Sequence, residues 1–326
     1  MRSVSAIAIY VSLGLPLSHA ALEPIWEELE PMPEGRSGMI AFSLNDSEPA
    51  FYGGSSWDDG EKRIHASGYV LRDHQWRSLT PLETPIAYAA VASGPDFLYA
   101  AGGTDGTQLN PILFTQNPNV QRQFFKLPPP QTRLYAGAAL LNGAYYQIGG
   151  STQLSPLAPT NSISKSEGDA WKDLGPLPEG PLINSAVATW KNRIFVFGGG
   201  LPGPNGLENT DSVFAFNTSD DSWEKQVPLP IAARGAVATS FPDIGILLVG
   251  GYTGSNRATP QVLLYDPEKN EFRSLPELPE GLMLPAVVLT DHSIYVFGGE
   301  DAPKHRSANV FRTDIRRLLE NPTVQP

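Results

Sequence analysis

Six glycine pairs recur along the chain at a nearly constant interval, and this repeat constrains the fold more than any other feature. The pairs are Gly53-Gly54, Gly102-Gly103, Gly149-Gly150, Gly198-Gly199, Gly250-Gly251 and Gly298-Gly299, with steps of 49, 47, 49, 52 and 48 residues. Each pair ends a short apolar run, as in Phe195-Val196-Phe197. A period of this length, rich in apolar runs and turn residues, indicates a propeller or an array of small units rather than one mixed domain.

A second landmark lies about half a period after each of the first five glycine pairs. It is an aromatic residue, at Trp76, Phe125, Trp171, Trp223 and Phe272. Short apolar runs between Gly, Pro, Asn and Asp predict antiparallel strands, and four strands fit each repeat. The pattern resembles kelch repeats, with the double glycine after the second strand and the Trp on the fourth. The resemblance implies an all-β fold, a six-bladed kelch-type β-propeller, and it is specific for fold rather than for function.

The ends of the repeat region predict how the ring closes. Residues 25–29 look like a fourth strand with no preceding three. The last repeat offers only three strands, near residues 286–289, 294–297 and 309–312. We therefore expect the N-terminal strand to complete the last blade, which leaves no exposed sheet edge at the seam. A short helix is predicted over residues 315–320.

The first twenty residues have the pattern of a secretory signal peptide. Arg2 gives a positive start, residues 6–17 are apolar and uncharged, and Ser18-His19-Ala20 is a small-x-small cleavage site. The apolar stretch is too short for a membrane span. We expect residues 1–20 to be removed, residues 21–326 to form the propeller, and the protein to be exported to a periplasm or beyond.

Composition excludes several classes of function. The chain has no cysteine, so disulfides, thiol catalysis and Cys-ligated metals are ruled out. The histidines that follow the predicted cleavage site show no zinc-type spacing, and we expect neither a metal nor a cofactor. A net charge of −11 argues against nucleic acid or an anionic membrane as a partner.

The innermost strand of each blade supplies the candidate binding residues. In a propeller this strand lines the central channel, so one position per blade forms a ring around the channel mouth. Aligning the small-residue first strands gives this ring as Arg36, Tyr88, Tyr135, Asn184, Arg234 and Leu284. The first five of these, together with Arg257 from the loop after the fifth glycine pair, are predicted to bind substrate.

Blades five, six and one are neighbours around the ring and concentrate charged residues. They carry Arg234, Arg257, Glu300, Arg306 and Arg36. A carboxylate among arginines is held ionised, and the remaining guanidinium groups could bind a substrate carboxylate or phosphate in bidentate geometry. The alternative is that Arg36 and Arg234 only make hydrogen bonds between blades.

The loop after the sixth glycine pair suggests a family. Gly299, Glu300 and Arg306 resemble the Gly-Glu-x5-Arg loop of the periplasmic kelch-type N-acetylneuraminate epimerases, also called sialic acid mutarotases. The resemblance implies an isomerase that interconverts the anomers of N-acetylneuraminate or a related small acidic sugar. It implies Glu300 as the acid/base and Arg306 as a ligand of the sugar carboxylate, with Tyr88, Tyr135 or a water delivering the second proton.

Three other classes of protein share features with this sequence. A copper enzyme like galactose oxidase needs a Cys crosslinked to Tyr, and the chain has no Cys. The segment from Ser164 to Trp171 resembles a sialidase turn motif, but Ser166 stands where that motif has Asp, so an ordinary turn before a kelch Trp is the simpler interpretation. A non-enzymatic propeller that binds a carbohydrate or another protein remains open.

Overall fold

A computed structural model describes residues 24–321, except 45–46, 94–97, 117–122, 129–130, 168–169 and 255–256. The predicted signal peptide lies outside the described residues and stays a prediction. Within the described ranges, no helix is long and apolar enough to cross a membrane.

The described chain forms six antiparallel sheets arranged as a six-bladed β-propeller, as the repeat predicted; five sheets have four strands and that of blade 1 has a fifth. The chain enters through the short strand β1 (Glu27–Glu28). Blade 1 consists of β2 (Ser37–Leu44), β3 (Glu48–Asp58), the added strand β4 (Glu61–Ile64), β5 (Gly68–Arg72) and β6 (Gln75–Leu79). Blade 2 consists of β7 (Ala90–Ser93), β8 (Leu98–Ala101), β9 (Ile112–Gln116) and β10 (Gln123–Lys126).

The remaining blades repeat this plan. Blade 3 consists of β11 (Gly137–Leu141), β12 (Ala144–Ile148), β13 (Ser162–Glu167) and β14 (Ala170–Pro176). Blade 4 consists of β15 (Ala186–Trp190), β16 (Arg193–Gly203), β17 (Gly206–Asn217) and β18 (Ser222–Lys225). Blade 5 consists of β19 (Val237–Phe241), β20 (Gly245–Val249), β21 (Val262–Asp266) and β22 (Glu271–Leu275). Blade 6 consists of β23 (Ala286–Leu289), β24 (Ser293–Phe297) and β25 (Val310–Asp314), followed by helix α1 (Ile315–Glu320).

The seam lies in blade 6, where the prediction is confirmed. Strand β1 pairs antiparallel with β25, with Glu27 opposite Arg312 and Glu28 opposite Phe311. Trp26 is buried beside this pairing, and its indole Nε1 donates to the carbonyl oxygen of Pro276 at 3.0 Å. The first of the described strands therefore supplies the outer strand of blade 6. Helix α1 begins where predicted, after the N-cap Asp314.

Blades are held together by apolar side chains that meet between neighbouring sheets. Phe51 of blade 1 packs against Phe297 of blade 6, with ring centroids 5.8 Å apart. Phe195 of blade 4 packs in the same way against Tyr265 of blade 5, at 5.6 Å. Between blades 2 and 3, the buried hydroxyl of Tyr145 also donates to the carbonyl oxygen of Ala90 at 2.7 Å. Core packing is thus spread around the ring, which is how a propeller stabilises a chain of this length.

A ring of main-chain hydrogen bonds joins the blades where their first strands begin. Its members have φ between 52° and 68°, and they are Gly38, Tyr88, Tyr135, Asn184, Gly235 and Leu284. From blade 2 to blade 6, each member donates its N–H to the carbonyl oxygen of the member in the preceding blade, at 2.7 to 3.1 Å. Below this ring the first strands enclose a central channel of about 260 Å³, lined largely by Ala, Val, Ser and Thr.

Candidate functional site

The ring and the loops between second and third strands lie at the same end of the channel, which we call the mouth. The residue before each ring member pairs with the residue just after a glycine pair, as in Arg234 with Tyr252 and Met283 with Glu300. In two blades this loop is an extended hairpin. Hairpin 1 (residues 55–64) belongs to blade 1, and hairpin 4 (residues 199–210) belongs to blade 4. In a six-bladed ring, blades 1 and 4 are opposite each other.

Hairpin 1 presents different chemistry on its two faces. Trp57 pairs with Lys62 in the strand register, and paired residues point to the same side of a sheet. Lys62 reaches over the Tyr88 ring, with its Nζ 4.4 Å from the centroid. Ser55, two residues from Trp57, hydrogen bonds to the Tyr88 hydroxyl at 2.6 Å. This face therefore points at the mouth, and Asp58 and Glu61 point away from it.

Two tyrosines of the ring form an aromatic floor at the mouth. The rings of Tyr88 and Tyr135 lie 4.7 Å apart. Tyr88 is buried, and its ring occupies the space that a Cβ on Gly38 would need. Tyr135 is more exposed, and no hydrogen bond of its hydroxyl is present within the described part of the chain. Burial, followed by the nearby Tyr88 and Glu300, raises the pKa of Tyr135 far above its usual range, so this hydroxyl stays protonated.

Glu300 and Arg306 meet at the mouth as an ion pair. The Arg306 Nη2 lies 3.0 Å from Glu300 Oε1, and the same oxygen accepts a hydrogen bond from the Ser37 hydroxyl at 3.2 Å. The remaining contacts of Arg306 go to the carbonyl oxygen of His305 and the Tyr88 hydroxyl. The Arg306 side chain is 4% exposed, whereas that of Glu300 is 26% exposed. Both terminal nitrogens of the arginine are thus occupied within the protein, its buried Nε has no hydrogen-bond partner among the described residues, and the carboxylate of Glu300 is accessible.

The structure corrects the alignment of two ring positions. The ring members of blades 1 and 5 are Gly38 and Gly235, not Arg36 and Arg234. The error is two residues in blade 1 and one in blade 5. It arose because the alignment favoured large polar side chains, whereas the position is defined by a left-handed backbone that glycine adopts without strain.

The expectation that Arg36 faces the mouth is therefore wrong. Its side chain is 3% exposed and lies inside blade 1. Nη1 donates to the carbonyl oxygens of Gly53 and Ser67 at 3.1 and 3.2 Å, and Nη2 donates to the carboxylate of Glu34 at 3.1 Å. The guanidinium ties β3 to the chain entering β5. Arg36 thus makes hydrogen bonds within its own blade, and no edge of the group faces a ligand.

Blade 3 contains an arginine in the equivalent position that the sequence analysis missed. Arg133 is fully buried, and its guanidinium donates to the carbonyl oxygens of Gly149 and Ser162 and to the hydroxyls of Ser162 and Ser164. Burial lowers the pKa of Arg133 to about 10, partly offset by Asp173. Both arginines lie two residues before the ring member of their blade, Gly38 or Tyr135, and this shared position is the signal that the sequence offered.

Arg234 lies at the mouth although it is not in the ring. Its guanidinium lies 4.5 Å from the centroid of the Tyr252 ring and donates to the Asn209 side chain of hairpin 4. Burial lowers the pKa of Arg234, and Tyr252 offsets part of this effect. Arg257 is exposed on the same loop as Tyr252.

Asn184 confirms its expected place in the ring. It is 9% exposed, and its Oδ1 is buried with no hydrogen-bond partner within the described ranges. A buried amide oxygen without a partner is costly, so this atom is a candidate acceptor for a bound water or ligand. Of the predicted residues, the structure therefore brings Tyr88, Tyr135, Glu300 and Arg306 together. It places Arg234 beside blade 4, leaves Arg257 exposed on the loop that follows Tyr252, and excludes Arg36 from the mouth.

The described residues contain no group of three or more His, Asp or Glu side chains that could hold a metal ion. The mouth offers aromatic faces, cations and the accessible carboxylate of Glu300. Such a surface can bind a ligand by stacking and by charged hydrogen bonds.

Comparison with known proteins supports the repeat. The kelch motif model matches residues 181–230 and 245–279, which lie in blades 4 and 5. The chain is 29% identical over 251 residues to mouse Kelch-like protein 35, covering 76% of this chain and 41% of that protein. It is 26% identical over 258 residues to human Kelch-like protein 23, covering 73% of this chain and 44% of that protein.

A third relative matches a shorter region. Beta-scruin of Limulus polyphemus is 27% identical over 140 residues, covering 42% of this chain and 15% of that protein. The chain thus spans less than half the length of each of these relatives. Together with the six blades, the matches show a propeller built from kelch repeats. The resemblance to sialic acid mutarotases stays a hypothesis.

Proposed function

We propose that this propeller is a non-catalytic binding module whose mouth binds a polypeptide partner. The observation that carries the proposal is the placement of hairpins 1 and 4 on opposite blades, with the aromatic floor of Tyr88 and Tyr135 between them. A cleft of this kind fits an extended chain. Partly exposed Trp, Tyr and Arg side chains, as at Trp57, Tyr252 and Arg234, are the types that dominate the energy of protein interfaces.

The burial and pairing of Arg36 and Arg306 favour a binding function over catalysis on a sugar. A clamp for a sugar carboxylate needs a guanidinium edge that faces the substrate. Arg36 is paired inside blade 1, and Arg306 is buried and paired with Glu300. Two of the arginines expected to hold an acidic sugar are thus used by the fold itself, which supports the binding function.

The proposal is tested by selecting ligands from a phage-displayed library of random linear peptides on the purified protein. Selected peptides are synthesised, and their Kd is measured by biolayer interferometry. We expect the double variant Trp57→Ala, Tyr252→Ala to weaken binding at least tenfold, because buried aromatic anchors typically contribute about 2 kcal/mol or more. Phe125→Ala, which changes an exposed aromatic on the outer strand of blade 2, is the matched control. Equal Kd values for the mouth and control variants would sink the proposal.

A second candidate function is the interconversion of anomers of N-acetylneuraminate or a related acidic sugar. It is favoured by the accessible carboxylate of Glu300 near the protonated hydroxyl of Tyr135. In this hypothesis Glu300 removes the proton of the anomeric hydroxyl, and Tyr135 delivers a proton to the ring oxygen.

Proton NMR that starts from the pure α-anomer tests this candidate. If it holds, the protein accelerates formation of the β-anomer, and Glu300→Gln loses on the order of a hundred- to ten-thousand-fold of that acceleration. Relaxation at the spontaneous rate with wild-type protein would discard it.

A further inference from the structure

The outer strand of blade 2 is an open sheet edge that carries two exposed aromatic side chains. Strand β10 ends the strand order β10-β9-β8-β7, and no other strand of the described chain pairs with it. Phe124 and Phe125 are each 45% exposed, and Gln123 and Lys126 on either side of them are exposed as well. Adjacent residues of a strand point to opposite faces of the sheet, so both faces of this edge present an aromatic ring to solvent.

Phe124, and not Phe125, is the counterpart of the aromatic residue that recurs on the fourth strand. Its ring centroid lies 5.5 Å from that of Phe114, which belongs to the apolar cluster between blades 1 and 2. Trp171 contacts Tyr145 in the same way at the interface of blades 2 and 3, at 6.0 Å. The half-period landmark that we predicted at Phe125 is therefore wrong by one residue. Phe125 is an additional aromatic residue on the opposite face of the strand.

Other blades carry a charged residue at the position of Phe125. The residue that follows the fourth-strand aromatic is exposed and charged in blades 1, 3, 4 and 5, where it is Arg77, Lys172, Glu224 and Arg273. In blade 6 the outer strand β1 consists of Glu27 and Glu28. Charged side chains on an edge strand prevent it from pairing with another chain. Blade 2 has an aromatic ring in place of this protecting charge, so its edge is able to pair.

The main chain of β10 has hydrogen-bonding groups that point outward. The N–H of Leu127 donates to the carbonyl oxygen of Pro111 at 2.8 Å, on the side of β9. Successive residues of an antiparallel strand alternate in the direction of these groups, so the N–H and C=O groups of Phe124 and Lys126 point away from β9. These groups are free to continue the sheet on the outer side of the blade.

A second copy of β10 fits this edge. Two identical antiparallel strands related by a two-fold axis have one residue opposite itself. With Phe125 at that position, Phe124 of each copy lies opposite Lys126 of the other, and the outward main-chain groups of these two residues meet. Opposite residues share a face of the sheet. The two Phe125 rings therefore pack together on one face, and each lysine lies beside an aromatic ring on the other.

We propose that β10 is a self-pairing edge, at which two copies of this protein join antiparallel about a two-fold axis at Phe125. The sheets of the two blades 2 then form one continuous sheet. The inference is independent of the proposed function, because β10 lies on the outer wall of the propeller and the mouth lies at one end of the channel.

The size of the contact implies a weak dimer that forms only at high protein concentration. The exposed 45% of Phe124 and Phe125 gives roughly 270 to 450 Å² for the four rings of two copies, at roughly 150 to 250 Å² per aromatic side chain. This is well below the roughly 1,200 Å² of stable specific interfaces. We therefore expect a Kd on the order of 0.1 mM.

Sedimentation velocity over protein concentrations from about 5 to about 500 µM spans this Kd and measures the association. The wild type is expected to shift from monomer toward dimer. Phe125→Arg should stay monomeric, because it places two like charges directly opposite each other and restores the charge found in blades 1 and 5. Glu224→Gln, at the equivalent position of blade 4, changes the net charge by the same amount and is the matched control. It should dimerise as the wild type does.

An introduced cysteine tests the register, because the native chain has none. Phe125→Cys places two thiols opposite each other at the two-fold axis and keeps Phe124 and Lys126. Mild oxidation should then form a disulfide-linked dimer at least about tenfold faster than in Glu224→Cys, whose thiols the proposed dimer holds far apart. Non-reducing gel electrophoresis follows the reaction.

The outcomes decide the proposal. Loss of the dimer in Phe125→Arg, together with faster crosslinking of Phe125→Cys, supports it. A wild type that is still monomeric at about 500 µM overturns it and leaves the edge to a strand of a different protein. A dimer that Phe125→Arg does not weaken, or equal crosslinking of the two cysteine variants, also overturns it. Peptides that bind the mouth should have the same Kd for the wild type and Phe125→Arg, so this inference and the proposed function fail separately.

Discussion

At the scale of residues, several polar side chains that could be taken for a site are in fact bonded within the fold. Arg36 and Arg133 fill equivalent positions in blades 1 and 3, where each satisfies two main-chain carbonyl oxygens near a glycine pair. Glu280 plays a related part in blade 6, where it accepts hydrogen bonds from Ser307 and Asn309. Buried polar groups left without hydrogen-bond partners are costly, so these charged residues stabilise the turns next to the double glycines.

The group around Arg36 predicts a pH dependence of stability. His65 hydrogen bonds to the Ser56 hydroxyl at 2.8 Å and lies 3.5 Å from Glu34. Burial, followed by the charge of Arg36, lowers the pKa of His65, and Glu34 offsets part of this effect. A lowered pKa means that the folded protein binds fewer protons than the unfolded chain below about pH 6.5. The stability that neutral His65 confers is present above that pH and is lost as the pH falls toward the folded pKa.

We therefore expect the free energy of unfolding to fall as the pH is lowered from about 7 to about 5. His65→Gln should flatten this dependence, because glutamine keeps a polar side chain near Ser56 and does not titrate. Urea denaturation at several pH values measures the effect. His292→Gln, at an exposed position, should leave the slope unchanged. A slope in His65→Gln equal to that of the wild type would show that another group is responsible.

At the scale of elements, the seam strand is the shortest strand of blade 6, and the buried side chain of Trp26 anchors it. Strand β1 has two residues, and the adjacent Trp26 is 4% exposed within the apolar cluster of blades 5 and 6. Trp26→Ala should lower the free energy of unfolding by about 3 to 5 kcal/mol, because it removes a large buried side chain and its hydrogen bond to Pro276. Urea unfolding followed by far-UV circular dichroism measures this loss.

Two control variants show whether the loss of stability comes from the buried side chain at the seam. Trp26→Phe keeps most of the buried volume and should recover most of the stability. Trp57→Ala, at the rim of the mouth, should cost much less. If Trp26→Ala proved as stable as Trp57→Ala, β1 would not hold the seam.

The elements were easier to predict from the sequence than the site. Glycine pairs and half-period aromatics are imposed by the main chain and the interblade core, so they repeat and reveal the blades, the seam strand and helix α1. The ring positions in blades 1 and 5 were misassigned because a left-handed backbone, not a particular side chain, defines them. Glycine adopts this backbone without strain, and other residue types also occur there, so no single residue type marks the position in the sequence. The pairs Lys62 with Tyr88 and Lys304 with Trp57 join residues of different blades. Such contacts have no signature in a single sequence.

At the scale of the whole molecule, each blade packs on its neighbours, and the ring of main-chain hydrogen bonds links the blades around the channel. A structural change at one interface between blades can therefore affect the next interface only through the blade between them, as in other repeat architectures. The mouth depends on this arrangement, because its charged and aromatic residues come from five blades and meet only when the ring is complete.

The pairing of β1 with β25 also sets an order of events during synthesis. Of the described strands, β1 is made first and must wait for β25 to find its partner, because Glu28 pairs with Phe311. At roughly 5 to 20 residues per second, the wait is roughly 15 to 60 s. Throughout this interval the nascent chain carries a detached β1 segment and an open ring, with Trp26 still in water. The same contact that seals the finished propeller thus leaves the newly made chain vulnerable to aggregation until β25 has been synthesised.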